Sequence, residues 1–190
     1  MAAERLYDKW AARNPQWETK YEDLIKTYCD YGRGATSLRE DRGKVFGGGY
    51  EIFIVAFFIG LYFNQKWPLI EDTQKRKTFG QPIQYWGNLD SVKGRKAYPK
   101  LREYIFTALV ARTDIDFIAL EKGEMTPRKA VDMLMQTMEE YANWGFHFME
   151  DKLKDNPNYF YKETAFLEVF LAFDASVAEN TDEEEPESLD

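Results

Sequence analysis

The chain has 190 residues, of which 44% are hydrophobic and 16% aromatic, so there is ample apolar area for one core, and a disordered body is excluded. One cysteine, Cys29, and one histidine, His147, rule out an intramolecular disulfide framework and a Cys/His zinc site and fit a reducing cytosol. The net charge of -8 is unevenly spread. "DASVAENTDEEEPESLD" at 174–190 holds eight acidic residues and no basic one, which leaves the body neutral. Within that body, Gln74 to Arg102 carries eight basic residues against a single acidic one, Asp90.

The start, "MAAERLYDKWAARN", is charged from residue 4 and has no apolar h-region, so no secretory signal is expected and the protein is placed in the cytoplasm. "AAERLYDKWAAR" reads as a helix. Asn14 as N-cap and Pro15 in the first helical position then predict a second one, with Trp17, Tyr21, Leu24, Ile25 and Tyr28 at helical spacing. From Gly32 to Gly49 the chain is polar and glycine-rich, a loop long enough to suspect of function.

"GGGYEIFIVAFFIGLYF" follows at Gly47–Phe63. Its apolar run from Ile52 to Phe63 is 12 residues, whereas a bilayer span needs about 20. The glycines lack the Lys-Ser/Thr of a phosphate loop and the spacing of a dinucleotide fingerprint. The segment is therefore expected as a central core helix, with Gly60 admitting a close neighbour and "QKWP" ending it.

"KTFGQPIQYWGNLDSVKGRKAYPK" is broken by Gly80, Pro82, Gly87, Gly94 and Pro99, and is expected as a loop or a short hairpin. Pro99 opens "PKLREYIFTALVAR", with Leu101, Tyr104, Ile105, Ala108 and Leu109 on one face. "TDIDFIALEKG" is a short helix that Thr113 or Asp114 can cap and Gly123 can end. Thr126 and Pro127 give the clearest start, for a helix running to about Leu153. Val131, Leu134, Met138, Tyr141, Gly145 and Phe148 form its packing seam. Asn156-Pro157 signals a last apolar helix. The expected fold is all-α: a single-domain bundle of about six helices over residues 1–173, around a central apolar helix, followed by an acidic disordered tail at 174–190.

Candidate chemistry is sparse. Asp114, Asp116, Glu121 and Glu124, with Glu103, could hold magnesium or do acid/base work, but capping and solvated roles account for most of them. His147 and Cys29 have no recognisable catalytic partner. The basic stretch is more informative: Lys75, Arg76, Lys77, Arg95 and Lys96 suit phosphate contacts, and Tyr85 and Trp86 suit stacking or docking. Arg33, Arg39, Arg42 and Lys44 could join them, and the acidic tail could cover the same surface.

Three stretches, "GGGYEIFIVAFFIGLYFNQKWPL", "DIDFIAL" and "EEYANWGFHFMEDKL", resemble a small accessory family encoded beside bacterial DNA phosphorothioation (Dnd) modification and restriction genes. The likeness spans roughly residues 45–155. It implies an accessory or binding component of a DNA-modification or anti-phage defence system and offers no catalytic residues to carry over; the expected partners are DNA or a larger protein of the same system, and no membrane, cofactor or metal is expected. Two alternatives stand beside it. One is a metal-dependent hydrolase, nuclease or glycosidase, built on Asp114, Asp116 and Glu121; the other is a structural subunit of a protein complex.

Overall fold

The computed structural model describes residues 2–29, 45–88 and 97–171. Among them the chain is mostly helical: α1 (Ala2–Ala11), α2 (Glu22–Tyr28), α3 (Gly49–Tyr62), α4 (Leu101–Arg112), α5 (Phe117–Lys122), α6 (Pro127–Asp155) and α7 (165–171). Two short strands, β1 (Gln16–Glu18) and β2 (Arg76–Thr78), pair antiparallel, with Gln16 opposite Thr78, Trp17 opposite Lys77 and Glu18 opposite Arg76. The fold is thus helical with a small ribbon added, and no helix among the described residues is long and apolar enough to cross a membrane.

The core is built on α3 lying across α6. Helix α3 is apolar all round, and its buried residues include Ile52, Phe53, Ala56, Phe57 and Ile59, as a central helix requires. The predicted seam of α6 is its buried side, and it meets α3 at Tyr141 and Gly145: Val131, Leu134, Met138, Tyr141 and Gly145 are buried, and Phe148 is half-buried. Two glycines set the approach. A methyl on Gly60 would lie 2.8 Å from the Tyr141 carbonyl carbon, and one on Gly145 would lie 2.5 Å from the carbonyl carbon of Ala56. Backbone meets backbone at both points, so neither helix has room for a side chain there.

Local signals explain most helix ends. The Glu51 carboxylate reaches back one turn to accept from the Gly47 amide at 2.6 Å, which satisfies a donor just ahead of α3. The other end of α3 stops earlier than Pro68 would enforce. Asn64 takes a left-handed conformation (φ 50°), and Asn64 and Gln65 amides return to the carbonyls of Leu61 and Gly60, a Schellman closure. Thr126 Oγ1 accepts from the Lys129 amide, with Pro127 in the first turn of α6. At α5 the cap is Asp116, whose Oδ1 accepts from the Ala119 amide at 2.8 Å, and not Thr113 or Asp114; Gly123 ends the helix with φ 78°. In α4, Ile105 and Leu109 are buried but Tyr104 points into solvent. Asn156 ends α6 and does not start the next helix; a turn and a 3-10 segment, Tyr159–Tyr161, intervene before α7.

The largest departure lies at 14–21. Asn14 and Pro15 do not open a helix: residues 16–18 are extended, Thr19–Tyr21 form a 3-10 turn, and α2 begins at Glu22. Trp17 stacks on Phe79 at 5.5 Å, and Glu18 is buried against α6 and the turn after α3. The apolar spacing from Trp17 onward suits a helix equally well, but partners roughly sixty residues away in sequence take these residues into a ribbon. For the same reason the basic insertion, expected as a loop or a short hairpin, gives residues 76–78 to pairing with the N-terminal segment, while 79–88 form turns and a 3-10 segment. The acidic segment 174–190 lies outside the described residues.

Candidate functional site

The basic residues singled out by sequence occupy different settings. Lys75 is exposed and 3.8 Å from Asp72. Lys77 donates to Glu22 at 2.8 Å, and Lys26 holds the other oxygen of the same carboxylate at 2.8 Å; hydrogen bonds from Lys26 and then Lys77 hold the Glu22 carboxyl down to about 2. Two lysines therefore share one carboxylate beside the ribbon. Arg76 turns inward, its Nε donating to the Ile70 carbonyl at 2.6 Å and a terminal nitrogen lying 3.4 Å from Gln16 Oε1. Tyr85 is exposed.

Trp86 corrects the expectation of a stacking platform. It is 1% exposed, its ring lies parallel to Tyr50 at 5.5 Å and its indole N–H donates to the Gln81 carbonyl. Both ring faces serve the core, so it offers none to a base. Arg95 and Lys96, like Arg33, Arg39, Arg42 and Lys44, lie outside the described residues.

Arg76 leads to a feature the sequence reading did not find. Behind the ribbon is a polar cleft of about 380 Å³, bounded by Arg13 and Asn14, by Gln16 and Arg76 of the ribbon, by the turn at Pro68–Leu69, and by Asp132, Gln136, Glu139 and Glu140 of α6. Arg13 pairs with Asp132 at 2.8 Å, and Glu139 Oε1 accepts from the Gln16 amide at 2.8 Å. Burial pushes the Glu139 carboxyl up to about 7, against the opposing pull of the Gln16 amide, Arg76 and Arg13. Desolvation here outweighs two nearby guanidinium charges. The buried Oδ1 of Asn14 has no hydrogen-bond partner among the described residues.

A second buried polar group joins the same elements. Asn143 Nδ2 donates to Glu18 Oε1 and to the Pro68 carbonyl, both at 3.0 Å, while Ile70 N–H and Lys20 Nζ also reach the Glu18 carboxylate at 2.8 Å each. Burial alone would raise the Glu18 carboxyl; Lys20, the Ile70 amide and Asn143 together bring it below the ordinary value. This node fastens β1 and the 67–70 turn to α6, and so fixes the walls of the cleft. Asn143 is thereby the polar tie of α6 to both segments.

The other chemical candidates do not converge. Asp116 is spent on its cap. Among the described residues no three His, Cys, Asp or Glu side chains come together as a metal site, so Asp114, Asp116 and Glu121 lack the geometry of a shared centre. The His147 ring lies 4.3 Å from that of Trp67, tilted by 31°, and its Nε2 sits 3.1 Å from Asp151. Cys29 is buried, and burial raises its thiol far above the ordinary range, so it is no nucleophile.

Arg13 and Glu139 went unread for identifiable reasons. Arg13 ends the stretch "AAERLYDKWAAR" that reads as a helix, and nothing in the local spacing marks it. Glu139 carried a signal: with Met135, Ala142 and Phe146 it shares a stripe that is otherwise buried and apolar, and a carboxyl on such a stripe needs a reason. No protein-family model matches the chain, and neither a curated protein nor a solved structure is found to be similar to it.

Proposed function

We propose that the protein is a binding component of a bacterial DNA-modification or anti-phage defence system, contacting DNA phosphates through exposed lysines at the β1–β2 ribbon, Lys75 and Lys77. The observation that carries this reading is the convergence of Lys26 and Lys77 on Glu22, which brings two cations together beside the ribbon. Exposed ion pairs of this kind are weak because solvent screens them, so a phosphate can displace the carboxylate at small cost. Lys75 adds a further exposed cation, held near Asp72 at a loose 3.8 Å.

The test is a fluorescence-anisotropy titration of duplex and single-stranded DNA at two salt concentrations, comparing the intact chain with Lys75→Ala/Lys77→Ala. Arg76 is left in place because its guanidinium ties the Ile70 turn to the ribbon. Binding that weakens with salt, and a double variant whose salt slope falls by about two, support the reading. No binding by the intact chain at low salt removes it.

A second reading, that the chain is a subunit docking on a larger protein, is favoured by a separate feature. Val55, Phe58, Leu61 and Tyr62 of α3, with Phe166 and Phe170 of α7 and Arg112, line an apolar groove of about 640 Å³, and Leu167 and Leu171 of α7 are exposed. Stable co-purification with a component of the same system, lost in Phe58→Glu, would favour it.

A further inference from the structure

We propose that the cleft between the ribbon and α6 is a binding site for a small oxyanion group, carboxylate or phosphate ester, held by Arg13 and Arg76, with Glu139 completing the site. The inference goes beyond the DNA reading and does not depend on it, since Lys75 and Lys77 do not line this cleft.

The donors are of the right kind and come from separate elements. Arg13 follows α1, and Arg76 belongs to β2. Arg76 is oriented by its bonds to the Ile70 carbonyl and to Gln16, so its fork is held in place before any ligand arrives. Planar guanidinium groups match carboxylate and phosphate oxygens in pairs. Gln16 and Gln136 add amide groups to the lining, and the buried Oδ1 of Asn14 is an uncommitted acceptor for a hydroxyl or N–H donor on the same ligand.

The carboxyls decide when the site accepts an anion. Glu139 is faced by Arg76 from β2, by Arg13 from the segment after α1 and by Glu140 beside it on α6. Glu140 has its own partners, Gln136 at 2.7 Å and Lys66 at 3.7 Å. Asp132 pairs with Arg13 at 2.8 Å and lies 4.0 Å from Arg128. An ionised Glu139 would repel an incoming anion and compete for both guanidiniums; a protonated one donates to it instead. Anion binding is thus coupled to uptake of one proton by Glu139. With the carboxyl titrating near 7, the protonated fraction drops about tenfold between pH 6 and pH 8, and apparent affinity drops by the same factor.

The experiment uses the intact chain, with two probes whose charge is constant across that pH range: lactate for a carboxylate source and dimethyl phosphate for a phosphodiester source. Each is titrated to tens of millimolar at pH 6 and pH 8 while the amide of Gln16 and the guanidinium Nε of Arg13 and Arg76 are followed by NMR. The expected result is a shift of those resonances by at least one probe, about tenfold tighter at pH 6. Glu139→Gln, which keeps the oxygen that accepts from Gln16, should bind at pH 8 as tightly as the unaltered protein at pH 6 and lose the pH dependence. Arg13→Gln, at an exposed position whose ion pair is with Asp132, should lose binding and keep the fold. A response to lactate alone assigns a carboxylate ligand, and a response to dimethyl phosphate alone assigns a phosphoester. Silence of both probes at both pH values overturns the proposal, as does equal affinity at pH 6 and pH 8 or a pH dependence that survives in Glu139→Gln.

Discussion

Gly145→Ala tests the packing that positions everything else. The added methyl would overlap the Ala56 carbonyl oxygen and lie 2.5 Å from its carbonyl carbon and 2.8 Å from its Cα, where carbon contacts prefer about 3.5–4.0 Å. The obstacle is the backbone of α3, which cannot rotate out of the way, so the two helices must part by roughly 1 Å along a densely packed seam. Overpacking of this kind costs about 3 kcal/mol at its upper range, and alanine returns about 1 kcal/mol of helix propensity. A net loss of about 2 kcal/mol lowers the melting temperature of a chain of this size by about 4–8 °C. Gly123→Ala is the comparison: no atom lies within 4 Å of its added methyl, and only the left-handed backbone, φ 78°, resists, at about 1 kcal/mol. Thermal melts followed by circular dichroism read both. Because the clash is with backbone, Ala56→Gly should not rescue Gly145→Ala. A Gly145→Ala protein that melts with or above the unaltered chain, or no lower than Gly123→Ala, would refute the account of the α3–α6 crossing.

Four further outcomes follow from the buried polar groups and from Cys29. Asn143→Ala removes a donor from Glu18 and from the Pro68 carbonyl, and should cost about 2–3 kcal/mol in a urea titration, with residues 67–70 losing hydrogen-exchange protection first. Glu139 has its carboxyl raised in the folded state to about 7, so between about pH 4.5 and pH 7 the native chain binds more protons than the unfolded one and this group's contribution falls as pH rises; Glu139→Gln should be nearly neutral at pH 4.5 and stabilising by up to about 3 kcal/mol above pH 7. Glu18 runs the other way: its carboxyl is lowered in the fold, so its contribution is present above its ordinary value and is lost on acidification. Native protein should resist iodoacetamide at Cys29, which is 1% exposed, and react once unfolded by urea; fast labelling under native conditions would contradict the buried placement.

The sequence by itself determined the features whose causes lie within a turn or two of chain. Thr126-Pro127 and Gly123 mark helix ends because a cap or a left-handed residue satisfies donors and acceptors three to five positions away. The all-round apolar character of α3 placed it at the centre, and the seam of α6 named the face that meets it, because periodicity alone sorts a helix surface into buried and exposed sides. Gly60 was legible as a close approach for the same reason. Tertiary structure decided the rest. Whether 16–18 is helix or strand rested on residues 76–78, roughly sixty positions away, and no local rule encodes a partner at that distance. Trp86, next to exposed Tyr85, became core because Tyr50 offered it a parallel ring. Arg76 turned from an expected DNA contact into a wall of a cleft only because the turn at Ile70 presented a carbonyl to it. Glu139 acquired its unusual proton affinity from burial among elements that meet only in the folded chain: desolvation is a property of an enclosed volume, and a sequence lists the walls of that volume without their distances.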